Sequence, residues 1–383
     1  MQSIPLDSKL PTVGTSIFTV MSALAREHEA VNLSQGFPDF SCDPELKRLV
    51  NHFVNSDKNQ YSPSDGLPVL REQIASLVKE AYGASYDPVK EITVTSGATE
   101  ALFCAISAVV NEGDEVILLE PVYDSYVPVI ELNGGRPVFV SMEAPDYKVN
   151  WDNLKKHINS RTRLIMINSP HNPTGAVLSD EDMLELQKIV RSNNIFIISD
   201  EVYEHIIFDG ADHQSVARFP ELAEHSFIIS SFGKTFHVTG WKVGYCVAPE
   251  ALSREFRKIH QFVTFSTSTP FQFAINDFMA DPNRISQLRH FYQEKRDLFA
   301  NAIKDSRFKV LPCHGTYFQL LDYSAISEEK DLEFARRLTI EHKIASIPIS
   351  PFYHNGSDAR VLRFCFAKEN ETLLQAAEIL NKL

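Results

Sequence analysis

The sequence predicts an α/β fold, in which a mostly parallel central sheet is covered by helices and joined to a smaller α+β domain. Between about Glu91 and Val247, short β-branched runs alternate with longer helical patterns, as parallel strands joined through crossover helices do. The runs are almost uninterrupted in apolar character, which strands covered on both faces require. At 383 residues the chain also exceeds the length over which one core keeps growing, so two packed lobes are expected.

The first forty-odd residues hold the turn formers Gly36, Pro38 and Pro44 without strand-helix alternation, and are expected to pack with the C-terminal domain. Five buried strands then follow: Ile92-Thr93-Val94, Val116-Ile117-Leu118-Leu119, Leu164-Ile165-Met166-Ile167, Ile195-Phe196-Ile197-Ile198 and Phe227-Ile228-Ile229-Ser230. A further strand spans Val243 to Val247. In the last hundred residues, amphipathic stretches over Glu294 to Ile303, Asp331 to His342 and Asn370 to Leu383 surround short strands near Tyr317-Phe318-Gln319-Leu320 and Val361 to Phe366, an α+β pattern. The expected division is a large domain over 46–279 and a small domain built from 1–45 and 280–383. No internal repeat or flexible linker interrupts it.

Composition narrows the function. A hydrophobic fraction of 44% with 23% charged residues is that of an ordinary globular protein. Thirty-seven basic against fifty acidic residues give a net charge of −13, which leaves no footprint for nucleic acid or anionic lipid. The N-terminus has no basic segment followed by an apolar run, and no stretch approaches eighteen apolar residues, so a cytoplasmic protein without a membrane partner is expected. Cys42, Cys104, Cys246, Cys313 and Cys365 are odd in number and never in C-x-x-C spacing, which argues against disulfides and zinc.

In open parallel sheets, ligands bind beyond the carboxyl ends of the strands. The five runs are followed by Ser96-Gly97-Ala98-Thr99, Glu120-Pro121-Val122-Tyr123, Asn168 to Gly175, Asp200-Glu201-Val202-Tyr203 and Ser231-Phe232-Gly233-Lys234. The polar residues gather where that rule places a site. Gly233-Lys234-Thr235 invites a P-loop reading, but the motif needs glycine five positions before Gly233, where Ile228 stands, and the phosphate-wrapping turn is lost. What remains is a lysine in the loop after a strand. It is either a solvated surface lysine or a nucleophile that forms Schiff bases, and its place after a buried strand, with Ser231 before and Lys242 after, favours the second. His171, His205, His237 and His314 have no metal-ligand spacing, and no metal is expected.

Taken together, Asn32-Leu33-Ser34-Gln35-Gly36-Phe37-Pro38-Asp39-Phe40, Ser231 to Phe236 and Gly240-Trp241-Lys242-Val243-Gly244-Tyr245 resemble the class I, fold-type I aminotransferases, which depend on pyridoxal phosphate (PLP). The match is to the kynurenine and methionine aminotransferase branch, spread from Phe18 to Arg363. The Gly14 to Ala25 segment is most similar to bacterial methionine aminotransferases.

The resemblance implies the following roles. Lys234 holds PLP as a Schiff base. The cofactor phosphate meets Ser96, the Gly97-Ala98-Thr99 helix start, Ser231 and Lys242, and the helix runs to about Val110. Asp200 keeps the pyridine nitrogen protonated, although an aspartate here also suits a helix N-cap. Tyr203 and Asn172 bond the ring 3-oxygen, and Tyr123 stacks on the ring, where ordinary aromatic packing is the plain alternative. Asn172-Pro173-Thr174-Gly175 also reads simply as a turn. Arg363, Asn172 and Gly36 receive the substrate carboxylate, with Ile17 and Phe18 near the side chain. Tyr61 reaches the phosphate of a neighbouring subunit, which makes a homodimer. The implied reaction is a ping-pong, Schiff-base transfer of the amino group of an L-amino acid to a 2-oxo acid. Methionine is the first choice of donor, and aromatic amino acids or kynurenine follow. The rivals are a cysteine-conjugate β-lyase or another fold-type I reaction on the same ring and lysine, a non-catalytic PLP-sensing regulator, and a soluble α/β scaffold with no cofactor, which needs every match to be accidental.

Overall fold

A computed structural model describes residues 6–383. At its centre is a seven-stranded sheet of β1 (Ile92–Thr95), β2 (Glu115–Glu120), β3 (Arg136–Ser141), β4 (Thr162–Asn168), β5 (Phe196–Asp200), β6 (Ser226–Ser231) and β7 (Gly244–Val247). Their order in space is β1-β7-β6-β5-β4-β2-β3, and β7 runs antiparallel to both of its neighbours. Side chains alternate across a strand, and the sequence uses both faces. Ile117, Leu119, Ile165, Ile167, Ile197 and Ile228 enter the larger core. Val116, Leu118, Leu164, Met166, Ile198, Phe227 and Ile229 enter the core on the other face. Each such side chain contributes roughly 1.5–3 kcal/mol by leaving water.

The expected strands are all present, and β3 is an addition. Its Arg136-Pro137 start hides it, because a proline cannot donate to a ladder and is tolerated at an edge, which is where β3 lies. The helix expected from Glu294 begins earlier, spanning Leu288–Ala302. Its first turn carries His290 and Gln293 among the apolar positions, which blurs the period.

Two helices fix the ends of the sheet. Ala98–Val109 follows β1 after Gly97, whose φ of 79° suits glycine. Gly244 lets that helix start lie against β7, since a Cβ there would stand 2.7 Å from the Ser230 carbonyl and 3.0 Å from the Ala98 nitrogen. Asp180–Asn193 follows β4 and begins in a capping box between Ser179 and Asp182.

Beyond this sheet, β8 (Lys309–Val310), β9 (Phe318–Asp322), β10 (Ile347–Pro348) and β11 (Val361–Cys365) form an antiparallel sheet in the order β10-β11-β9-β8. Chain from near the N-terminus joins it. Val31–Asn32 pairs in parallel with Ile344–Ala345, and the Cys365 amide donates to the Leu33 carbonyl at 2.8 Å. Within the N-terminal portion expected to belong here, residues 1–5 lie outside the described residues. Among the described residues, no helix is long and apolar enough to cross a membrane.

Candidate active site

The carboxyl ends of β4, β5 and β6 lie side by side, because Asn168 stands opposite Asp200 and Asp200 opposite Ile229 in the ladders. Beyond them opens a cavity of about 150 Å³ whose walls include Gly97, Ala98, Thr99, Tyr123, Asn172, Asp200, Tyr203, Ser231, Lys234 and Lys242. The sequence separates these residues by up to 145 positions, and the parallel topology brings them to one edge.

Lys234 sits in a single helical turn, Phe232–Thr235, directly after β6. Its amine donates to the Tyr317 hydroxyl at 2.9 Å and to the Gly36 carbonyl at 3.2 Å. Burial pulls its pKa down to about 8, and the Arg363 and Lys242 cations push the same way. Near neutrality a useful fraction of this lysine is therefore a neutral nucleophile, unlike a solvated one.

At one end of the cavity the helix starting at Ala98 has free amides, because Gly97 makes no side-chain cap. Lys242 is held in the left-handed region at φ 53°, and its amine reaches Thr99 Oγ1 only at 3.5 Å. Uncommitted N–H groups, a hydroxyl and a cation at a helix N-terminus make a cradle for an anion. Ser96 stands just outside that wall, with its amide donating to Glu100 Oε2 at 3.0 Å.

At the other end Asp200 is buried. Burial raises its pKa to about 6, opposed by a 2.5 Å hydrogen bond from the Tyr126 hydroxyl and by the Val202 amide. A carboxylate so placed gains by pairing with a cationic ring nitrogen. Asn168 fixes the surroundings by donating to the Asp200 carbonyl at 2.8 Å and accepting from the Asn172 amide at 2.8 Å. Tyr203, also buried, stands edge-on to Tyr317 at 5.1 Å.

Arg363 enters from β11. Its Nη1 donates to Asn172 Oδ1 at 2.7 Å and its Nη2 to the Ser34 carbonyl at 3.1 Å, while the Phe318 ring lies 3.8 Å from Cζ. The residue is almost fully buried, yet its Nε has no partner. A buried guanidinium N–H left unpaired is costly, and a carboxylate would satisfy it. Phe18 lies 5.0 Å from the same guanidinium, whereas Ile17 only opens the helix Ile17–Glu27.

Tyr61 stands apart from the cavity, 81% exposed and edge-on to Phe265 at 5.0 Å. Sequence reasoning passed over Asn168, Tyr126, Ser34 and Tyr317. Asn168 ends a strand and so carried a signal, whereas nothing in the sequence links Tyr126 to Asp200. Tyr317 carried none beyond membership of a strand.

The cavity thus offers an anion cradle, a buried carboxylate and a nucleophilic amine, and Asn172 in its wall is bonded to a buried guanidinium with an unpaired N–H. The fold and this set define an enzyme acting on amino and carboxylate groups. A family model described as Aminotransferase class I and II matches residues 28–380, and the chain belongs to that family of amino-group-transferring enzymes. It is 49% identical to the methionine aminotransferase of Escherichia coli, over 98% of each chain. It is 36% identical to a kynurenine–oxoglutarate transaminase of Dictyostelium discoideum, covering 97% of this chain and 94% of that one. A solved Escherichia coli structure described as having a methionine aminotransferase function superposes with a TM-score of 0.98, at 48% identity and over the whole of both chains.

Proposed function

We propose that this aminotransferase holds PLP and moves the amino group of L-methionine to a 2-oxo acid in two half-reactions. The observation that carries the reading is the half-buried Lys234 amine, with its pKa pulled down to about 8, at the same sheet edge as Asp200 and the anion cradle. Those residues fit the cofactor's three polar features. The Ala98 and Thr99 amides, the Thr99 and Ser231 hydroxyls and Lys242 would hold its phosphate, with Ser96 supporting the turn. Asp200 would pair with its ring nitrogen, Tyr203 and Asn172 would bond its 3-oxygen, and Tyr123 would cover one face. When bound, the ring supplies an electron sink for the charge that develops at the substrate α-carbon.

The chain's own residues do the rest. Arg363 receives the substrate carboxylate through its open Nε, helped by Asn172 and by close backbone approach at Gly36. Lys234 would hold the cofactor and would carry the substrate α-proton. The Phe18 and Phe352 rings, 5.6 Å apart, and Ile17 would offer an apolar surface to a thioether side chain. The 49% identical relative supports methionine as donor. The reading includes a large domain over 46–279, a small domain from both termini, and a homodimer in which Tyr61 reaches the partner's phosphate.

The test is an absorbance spectrum of the purified protein given PLP. A visible band that borohydride fixes to the chain is expected, together with methionine-dependent formation of the 2-oxo acid and the co-product amino acid. Lys234→Ala should lose the fixed band and reduce turnover on the order of 10⁴-fold. Normal turnover by that variant would sink the assignment, and release of ammonia in place of a co-product amino acid would identify an elimination enzyme.

A further inference from the structure

Three polar atoms meet around Lys234 in an order that fixes which of them donates. The Tyr317 hydroxyl donates its single proton to the Gly36 carbonyl at 2.6 Å, and a carbonyl oxygen can only accept. The Tyr317 oxygen therefore faces the Lys234 amine, 2.9 Å away, as an acceptor, and the Gly36 carbonyl is a second acceptor at 3.2 Å. A neutral amine has two hydrogens and one lone pair. Two acceptors engage both hydrogens, and the lone pair is left for the cavity that Lys234 lines.

The surrounding backbone is built to hold this arrangement. Thr316 is β-branched, fully buried and in the left-handed region at φ 66°, a conformation that costs energy and persists only when neighbours enforce it. Its amide is tied to the Ile206 carbonyl at 2.9 Å, and its hydroxyl accepts from the Phe318 amide at 3.1 Å. That one turn aims Tyr317 at Lys234 and Phe318 at Arg363. Gly36 is equally constrained, since a Cβ there would stand 2.9 Å from the Phe318 ring. Burial keeps the Tyr317 hydroxyl un-ionised.

We propose that Tyr317 is a positioning residue for proton transfer: with the Gly36 carbonyl it forms a seat that holds the released Lys234 amine with its lone pair presented to the substrate α-carbon. The inference rests on the reading of Lys234 as proton carrier. In the step itself the α C–H bond breaks, its proton forms a bond to the Nζ lone pair, and its electron pair passes to the cofactor. The ammonium so formed keeps two hydrogens in the seat and carries the third on the cavity side. It gives that proton to the cofactor carbon and returns to the neutral amine, so no further reactant is needed.

Tyr317→Phe keeps the ring and removes the seat. The borohydride-fixed band should persist, because Lys234 itself is intact. The kcat for methionine should fall about 10- to 100-fold with KM changed less than about threefold, and the isotope effect with α-deuterated methionine should rise. Loss of an acceptor for the ammonium should also lower the pH midpoint for cofactor uptake by the cofactor-free protein. A Tyr317→Phe enzyme with wild-type kcat, isotope effect and uptake midpoint would overturn the proposal. Tyr317→Met, which fills the space without a hydroxyl, should repeat the defect. Failure of both variants to take up cofactor would assign Tyr317 to folding and equally overturn it. Absence of a fixed band in the wild-type protein would overturn the cofactor reading instead.

Discussion

Arg363 is buried and Lys234 half-buried, and loss of water has different consequences for the two cations. An ammonium yields its proton when desolvated, so the Lys234 pKa falls to about 8, whereas a guanidinium stays charged through delocalisation. Cofactor uptake by the cofactor-free protein needs the neutral amine, so its rate should rise with pH through about 8 and level off above. A stopped-flow absorbance series from pH 6 to 10 would show this, and a midpoint near 10.5 would mean a solvated lysine. Arg363 serves by its fork of N–H groups, and Arg363→Lys keeps the charge while losing the fork. Its KM for methionine should rise roughly 10- to 100-fold with the cofactor band unchanged. Both residues were legible in sequence, because each lies in a motif that fixes its place relative to a strand. Tyr126 and Tyr317 were not, since their partners Asp200 and Lys234 lie 74 and 83 positions away and only the folded chain brings them together.

The helix Ala98–Val109 matters to the site through its first turn, and a buried side-chain cluster anchors that turn. His260 Nδ1 meets Glu100 Oε1 at 2.7 Å, its Nε2 meets the Ser64 carbonyl at 2.7 Å, and Cys104 Sγ lies 3.0 Å from the same Glu100 oxygen. An acceptor at each ring nitrogen favours the imidazolium form of His260. Burial opposes the charge, but the bonds to Glu100 and Ser64 outweigh burial and the repulsion from Arg257, and the pKa is raised. A histidine with a raised folded pKa contributes stability that is fully present below its unfolded value near 6.5 and is lost as pH rises through the folded value. His260→Gln should therefore cost about 3–5 kcal/mol at pH 6 and visibly less at pH 9, which thermal melts at the two pH values would measure; an equal loss at both would refute the ion pair. At this scale the sequence showed the helix itself, because its Gly97 start and apolar period are local. It did not show the tie to the 61–66 segment, nor that β7 runs antiparallel, because strand direction depends on the path of the intervening Thr239–Trp241 turn.

For the whole molecule, the proposed homodimer turns on Tyr61. Its ring is 81% exposed, and Phe265, which it meets edge-on, is 51% exposed. In the proposed homodimer a second copy would cover this exposed aromatic pair. If Tyr61 completes the partner's phosphate cradle, each active site in the proposed homodimer takes Lys234 from one chain and Tyr61 from the other. Tyr61→Phe should then weaken cofactor retention about tenfold, the worth of one hydrogen bond to a charged group. Lys234→Ala should be inactive throughout. Mixed dimers of the two variants separate the geometries. One site of such a dimer lacks both groups, but the other pairs an intact Lys234 with an intact Tyr61 and should regain wild-type cofactor affinity. Titrating cofactor into refolded mixtures, with turnover as the readout, distinguishes the outcomes. Recovery of a tight site places Tyr61 in trans, whereas affinity fixed at the Tyr61→Phe level in every mixture would show that each chain builds its cradle alone.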